Sequence, residues 1–197
     1  MKALSSLSFP VLDAEKGEEM QNAILAARSE GDSVGGTLET AVIGMPAGVG
    51  EPFFDSVESR LSHMLFSVPA VKGVEFGDGF ALAARRGSEV NDAMRLKGDR
   101  VVTVTNHAGG IYGGITNGAP IRFRVAVKPT PSIFKEQKTV SLTESTEETL
   151  SLKGRHDPCI VHRAAAVVDA VTALVLCDML SETFGVNYFS PDASSLS

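Results

Sequence analysis

Three short stretches of the 197-residue chain concentrate residue types that handle anions. The first, N-H-A-G-G-I-Y-G-G-I-T-N-G (Asn106–Gly118), holds five glycines in thirteen positions. Successive peptide N–H groups free of side chains can form an anion nest and admit a ligand close to the backbone, or they can make a tight connection between strands. It is neither a Walker loop nor a dinucleotide fingerprint, because no G-K-[S/T] follows it and no G-x-G-x-x-G opens a helix. The second, K-P-T-P-S (Lys128–Ser132), follows an apolar strand. Pro129 and Pro131 stiffen the backbone, while Lys128, Thr130 and Ser132 offer a cation and two hydroxyls. Such a wall suits a phosphate or a polar ring system; the alternative is a stiff loop with an exposed lysine. The third, R-H-D-P-C (Arg155–Cys159), reads as a helix start, with Asp157 as cap and Pro158 at the first helical position. Arg155 and His156 beside a helix N-terminus make a prepared anion site.

The charge distribution agrees. The chain carries 18 basic and 24 acidic residues, a net charge of −6. That balance argues against nucleic acid or an anionic membrane surface as partner. Between Arg122 and Arg163, however, eight basic residues stand against five acidic ones, a local net of +3. A cationic island on an acidic protein suits a small anionic ligand. The four histidines, His63, His107, His156 and His162, lack metal-ligand spacing, so no metal is expected. Cys159 and Cys177 form no C-x-x-C pair and read as reduced thiols of a cytoplasmic protein. The most apolar run, Ala164 to Cys177, contains Asp169 and has 14 residues, short of the ~18–20 that a membrane span needs.

The elements that must position these segments follow from hydrophobic periodicity. Asp13 caps a helix that Gly31 stops, and Ser33 to Met45 alternates like a strand. Glu51 to Val68 reads as an amphipathic helix whose apolar face includes Phe54, Val57, Leu61, Met64, Leu65 and Val68, with Pro52 in its first turn. Val71–Phe76, Val101–Thr105 and Ile121–Val127 read as strands, and Ile133 to Lys153 as a polar hairpin. A long, mostly buried helix then runs from the R-H-D-P-C segment to about Gly185. Length and pattern predict one domain over residues 1–185 and a frayed tail over 186–197.

Taken in order, these segments resemble chorismate synthase. The resemblance rests on G-D-S-V-G-G (Gly31–Gly36), G-V-G-E-P-F-F-D (Gly48–Asp55) and A-V-K-G-V-E-F-G-D-G-F (Ala70–Phe80), then on the glycine cluster, V-A-V-K-P-T-P-S-I (Val125–Ile133) and K-G-R-H-D-P-C (Lys153–Cys159). It implies an α+β sandwich of antiparallel sheets and helices, a tetramer in the family. The implied chemistry is the 1,4-elimination of phosphate from 5-enolpyruvylshikimate 3-phosphate to give chorismate, with reduced FMN as cofactor. On the matching motif positions, the flavin contacts fall on Pro69, Ala70, Gly113, Lys128, Pro129, Thr130, Pro131, Ser132 and Arg155. Arg155 also stands to meet substrate, and Asp157 to relay a proton near the flavin's reactive nitrogen. The resemblance covers only the C-terminal part of the family. The front part carries a G-E-S-H-G motif, a second catalytic histidine and most of the arginines that hold substrate phosphate, and none of these occurs in the 197 residues. The alternative expectation is therefore a truncated form that binds flavin weakly without turnover, or an assembly module.

Overall fold

The computed structural model describes residues 9–190 together with residues 4 and 7. In chain order its elements are α1 (Ala14–Ser29), β1 (Gly36–Val42), α2 (Val57–Ser67), β2 (Val71–Phe76), α3 (Gly87–Val90), β3 (Met94–Lys97), β4 (Arg100–Thr103), β5 (Ile111–Tyr112), β6 (Ile115–Thr116), β7 (Ile121–Val127), β8 (Gln137–Ser141), β9 (Thr146–Leu150) and α4 (Val161–Phe184). Helices alternate with small sheets, and the pairs β3–β4, β5–β6 and β8–β9 are antiparallel. This is the expected α+β architecture. The chain divides into two compact units: the first runs to Thr37 and takes in Ala126–Ala166, and the second comprises Leu38–Val125 and the chain from Val167 on.

In the first unit, α1 begins where expected. The Asp13 carboxylate accepts the Lys16 N–H at 3.1 Å, and Gly31, at φ +68°, turns the chain out of the helix. The polar stretch after Ile133 forms the β8–β9 hairpin, with Lys138 opposite Thr149.

In the second unit, β7 lies between β1 and β2. Its sequence alternates as a half-buried strand must: Ile121, Phe123 and Val125 enter the core, while Arg122 and Arg124 point to the other face. Leu61 and Leu65 of α2 and Val168, Val175, Leu176 and Met179 of α4 complete that core. Arg60 of α2 binds Asp178 at 2.6 Å and Glu182 at 2.7 Å on α4, and the Glu182 hydrogen bond raises the guanidinium pKa further.

Three expectations are corrected here. The helix expected from Glu51 starts only at Val57, because the Ser56 hydroxyl caps it by accepting the Ser59 N–H at 3.0 Å. Phe53–Asp55 instead makes a 3-10 turn, Phe53 adopts φ +63°, and Phe54 is 92% exposed rather than on the core face. The long helix starts at Val161, four residues after Asp157. Ile160 C=O accepts the first helical N–H bonds, from Arg163 at 3.1 Å and Ala164 at 3.0 Å. This helix is also longer than the 14-residue apolar run: α4 has 24 residues and is long and apolar enough to cross a membrane by length and composition. Its buried stripe from Val168 to Leu180 serves the core of the second unit. At the end of the described chain, Val186–Phe189 forms a 3-10 turn; residues 191–197 of the expected tail lie outside the described residues.

Candidate functional site

The first unit gathers the proline-rich and R-H-D-P-C segments around residues 31–35. The Gly31 carbonyl accepts the Phe134 N–H at 2.9 Å and the Lys135 N–H at 3.3 Å. The Asp32 carboxylate pairs with Lys135 at 2.7 Å, and that hydrogen bond together with the Ser33 N–H holds it below the usual carboxylate range. The Ser33 hydroxyl donates to the Thr130 carbonyl at 2.6 Å, and the Val34 N–H donates to the Pro158 carbonyl at 2.8 Å. One strip of G-D-S-V-G-G therefore ties both candidate segments together. Its role as a clamp escaped sequence reasoning; the available signal was the glycine pair Gly35–Gly36, which marks a close backbone approach. A Cβ at Gly35 would strike the Val127 carbonyl and meet the Pro129 ring at 3.0 Å. Gly35→Ala is expected to lower the melting temperature and to displace Pro129, costing about 2 kcal/mol for backbone overpacking. Thermal melting of the variant checks it.

Around this clamp, Ser132, His156 and Asp157 line a shallow hollow with Arg28, Asp32 and Phe134. The hollow has a volume of only about 10 Å³, so these residues offer a surface rather than an enclosed cavity. The His156 ring stands edge-on to Phe134 at 5.1 Å between centroids. Its Nε2 and the Thr130 hydroxyl are buried without a hydrogen-bond partner among the described residues. Buried polar atoms are nearly always satisfied, so each of the two is open to a further polar group. Lys128, Pro129 and Arg155 are exposed, and neither cation makes an ion pair among the described residues. Asp157 does not cap a helix; Arg163 holds its carboxylate at 2.7 Å.

In the second unit the glycine cluster forms a hairpin. Tyr112 and Ile115 pair across Gly113 and Gly114, whose φ angles of +60° and +88° suit the two central positions of a tight turn. The two glycines differ. A Cβ at Gly114 would press on Ser56 at 2.6 Å and on the Glu51 carbonyl at 2.8 Å, so that glycine serves packing. A Cβ at Gly113 would meet nothing within 4 Å, which leaves its backbone open to a ligand. Pro69 and Ala70 make the turn from α2 to β2, and Ala70 adopts φ +71°, a conformation that costs a non-glycine residue roughly 1 kcal/mol or more.

Two carboxylates hold this loop, Asp92 buried and Asp78 half-buried, and neither was singled out in the sequence. Asp92 accepts the Thr105 hydroxyl at 2.6 Å, the His107 N–H at 2.8 Å and the Ala108 N–H at 3.0 Å. Burial alone would raise its pKa, but these hydrogen bonds outweigh burial and hold it below the usual carboxylate value. Burial, with Asp92 nearby, pushes the Tyr112 phenol up to about 12. Asp78 accepts from His107 Nδ1 at 2.6 Å, from Arg122 and, at 3.2 Å, from Arg85; the His107 and Arg122 contacts depress its pKa. Asp78, Arg122, Arg124 and Glu39 line a second hollow of about 170 Å³ in this unit, with acids and bases in balance.

A sequence model of one protein family, described as chorismate synthase, matches residues 2–181. The chain belongs to the chorismate synthase family. A chorismate synthase of Chitinophaga pinensis is 54% identical over 168 residues, which are 85% of this chain and 48% of that relative. One of Pyrococcus abyssi is 51% identical over 168 residues, 85% of this chain and 47% of the relative. A solved structure titled "Crystal Structure of Chorismate Synthase" superposes with a TM-score of 0.70 at 33% identity, covering 87% of this chain and 44% of that one. The chain thus spans about half the length of the curated relatives it matches.

Proposed function

We propose that the chain contributes the flavin-holding part of a chorismate synthase, acting in the 1,4-elimination of phosphate from 5-enolpyruvylshikimate 3-phosphate. The observation that carries this reading is that Lys128 and Arg155 are exposed and make no ion pair among the described residues, while Thr130 Oγ1 and His156 Nε2, on the same two segments, are buried there without a hydrogen-bond partner. This donor set fits FMN. Cations suit its phosphate and the substrate's anionic groups, and hydroxyls and an imidazole suit polar ring edges. Pro69, Ala70, Gly113, Lys128 through Ser132 and Arg155 are assigned to flavin contact, and Arg155 also to substrate. Reduced FMN, when bound, supplies electron density as phosphate departs. Asp157, its carboxylate held by Arg163 at 2.7 Å, is assigned to take up and pass on a proton. The reading carries with it a cytoplasmic location and a homo-oligomer, as expected of a biosynthetic enzyme of this family.

The test is a fluorescence titration of the chain with FMN. Lys128→Ala and Arg155→Ala are each expected to weaken binding about 10-fold, the loss of roughly 1.4 kcal/mol from one charge-assisted contact. Unchanged affinity in both variants overturns the assignment. Because the 197 residues contain no G-E-S-H-G, the chain alone is expected to bind FMN without turnover. Chorismate formation by the chain, lost on Asp157→Ala, contradicts that second expectation.

A further inference from the structure

Alternation along the three-stranded sheet of the second unit turns one set of side chains away from the core. Leu38 and Val42 of β1, Phe123 and Val125 of β7, and Val74 and Phe76 of β2 pack inward. Glu39, Arg122, Arg124 and Glu75 therefore share the opposite face. Most charges there satisfy one another. Arg124 pairs with Glu75 at 2.6 Å, and Arg122 pairs with Asp78, whose carboxylate also accepts from His107 and Arg85. Two groups are left over. Glu39 is exposed and makes no ion pair or side-chain hydrogen bond among the described residues. Arg122 Nε is buried and has no acceptor among them. A buried donor is nearly always satisfied, so this one is open to an acceptor.

Both residues line the hollow of about 170 Å³, together with Gly77, Asp78, Ala81 and Arg124. They stand on β1 and β7, which are neighbours in the sheet. The two acids and two arginines of the lining cancel, so a ligand of no net charge enters without leaving a charge uncompensated. The space exceeds the roughly 150 Å³ that holds a molecule the size of benzene, and Gly77 and Ala81 add little side-chain bulk to its wall. A ligand that is neutral overall, brings a cation to Glu39 and offers an anionic acceptor to Arg122 is a zwitterion. We propose that this hollow binds a small α-amino acid, its ammonium donating to the Glu39 carboxylate and its carboxylate accepting from Arg122 Nε–H. The site uses none of the residues assigned to flavin, substrate or proton, so its failure leaves the flavin reading standing.

The test is a proton–nitrogen NMR titration of the 197-residue chain with L-alanine. Propionate and ethylamine serve as comparison probes, since each carries only one of its two charges. L-Alanine is expected to bind saturably, with a Kd of about 1 mM, and to shift the Arg122 Nε–H resonance along with the backbone amides of Glu39 and Arg122. Propionate and ethylamine are each expected to bind about 10-fold more weakly or worse. Glu39→Gln keeps the length of the side chain and removes its charge. It should weaken L-alanine binding by about 10-fold or more, while thermal melting stays unchanged because Glu39 is exposed and holds no partner among the described residues. The absence of a saturable shift overturns the proposal, as does an affinity for L-alanine that Glu39→Gln leaves intact. Propionate or ethylamine binding as tightly as L-alanine also overturns it, because the hollow then reads a single charge rather than a zwitterion.

Discussion

Gly77→Ala is expected to destabilise the second unit by about 4 kcal/mol, the sum of a left-handed backbone and an unavoidable overlap. Gly77 sits at φ +60°, where an added Cβ would strike the His107 carbonyl and come within 2.6 Å of the Gly109 nitrogen and 2.7 Å of the Ala108 carbonyl carbon. All three are backbone atoms, so no side chain can move aside. The approach is mutual, since a Cβ at Gly109 would meet the Gly77 nitrogen at 2.5 Å. The crossing is sealed by the Gly77 N–H, which donates to the Arg122 carbonyl at 2.8 Å. At 2–4 °C per kcal/mol for a chain of this size, the melting temperature should fall by roughly 8–16 °C. Gly113→Ala is the control. Its backbone is also left-handed, at φ +60°, but a Cβ there meets nothing within 4 Å. The fold should lose only about 1 kcal/mol to backbone strain, while FMN affinity falls. Equal stability losses in the two variants would show that the glycines play one role rather than two.

That contrast shows what the sequence made legible. The glycine cluster declared itself by composition, but which glycines serve packing depends on neighbours such as Ser56, Glu51 and Gly77, far away in the chain. Local signals worked where the competing interactions were also local. Asp13 caps α1, Gly31 ends it, and the alternation of β7 fixes which side chains enter the core. They failed where a distant partner won. The Asp157–Pro158 pair has the chemistry of a helix start, yet the Pro158 carbonyl is taken by the Val34 N–H and the Asp157 carboxylate by Arg163. The segment stays outside the helix and α4 begins at Val161. Phe54 was placed in the core because helical spacing continues unbroken through a stretch that Ser56 splits into a 3-10 turn and a helix. The candidate site was legible as residue types and motifs. The clamp of residues 31–35 that gathers its first-unit half was not, since its hydrogen bonds span about a hundred residues.

Asp92 carries no motif and gave no signal, yet its loss should reshape the glycine loop. It is 8% exposed, and one carboxylate satisfies the Thr105 hydroxyl and the N–H groups of His107 and Ala108. Asp92→Ala strands these donors in a buried place, at about 1 kcal/mol each, for an expected loss of about 3 kcal/mol. Asp92→Asn should fall between, because it keeps one acceptor oxygen and turns an amide N–H₂ toward donors. The pH dependence separates a charge effect from packing. The folded pKa lies below the ordinary 3.8, so ionised Asp92 stabilises the fold above that value, and the contribution is lost as pH falls through the folded pKa. The stability gap between the wild type and Asp92→Ala, measured by denaturant titration, should hold from neutral pH down to about 4 and close below it. A gap that persists undiminished at pH 2 would mean that the side chain acts by filling space. The same loop carries Gly113 on the adjoining hairpin, and Tyr112 reaches back to the Asp92 carbonyl at 3.4 Å. Asp92→Ala should therefore weaken FMN binding even at temperatures where the variant is fully folded, because the backbone offered to the ring is no longer held in one conformation.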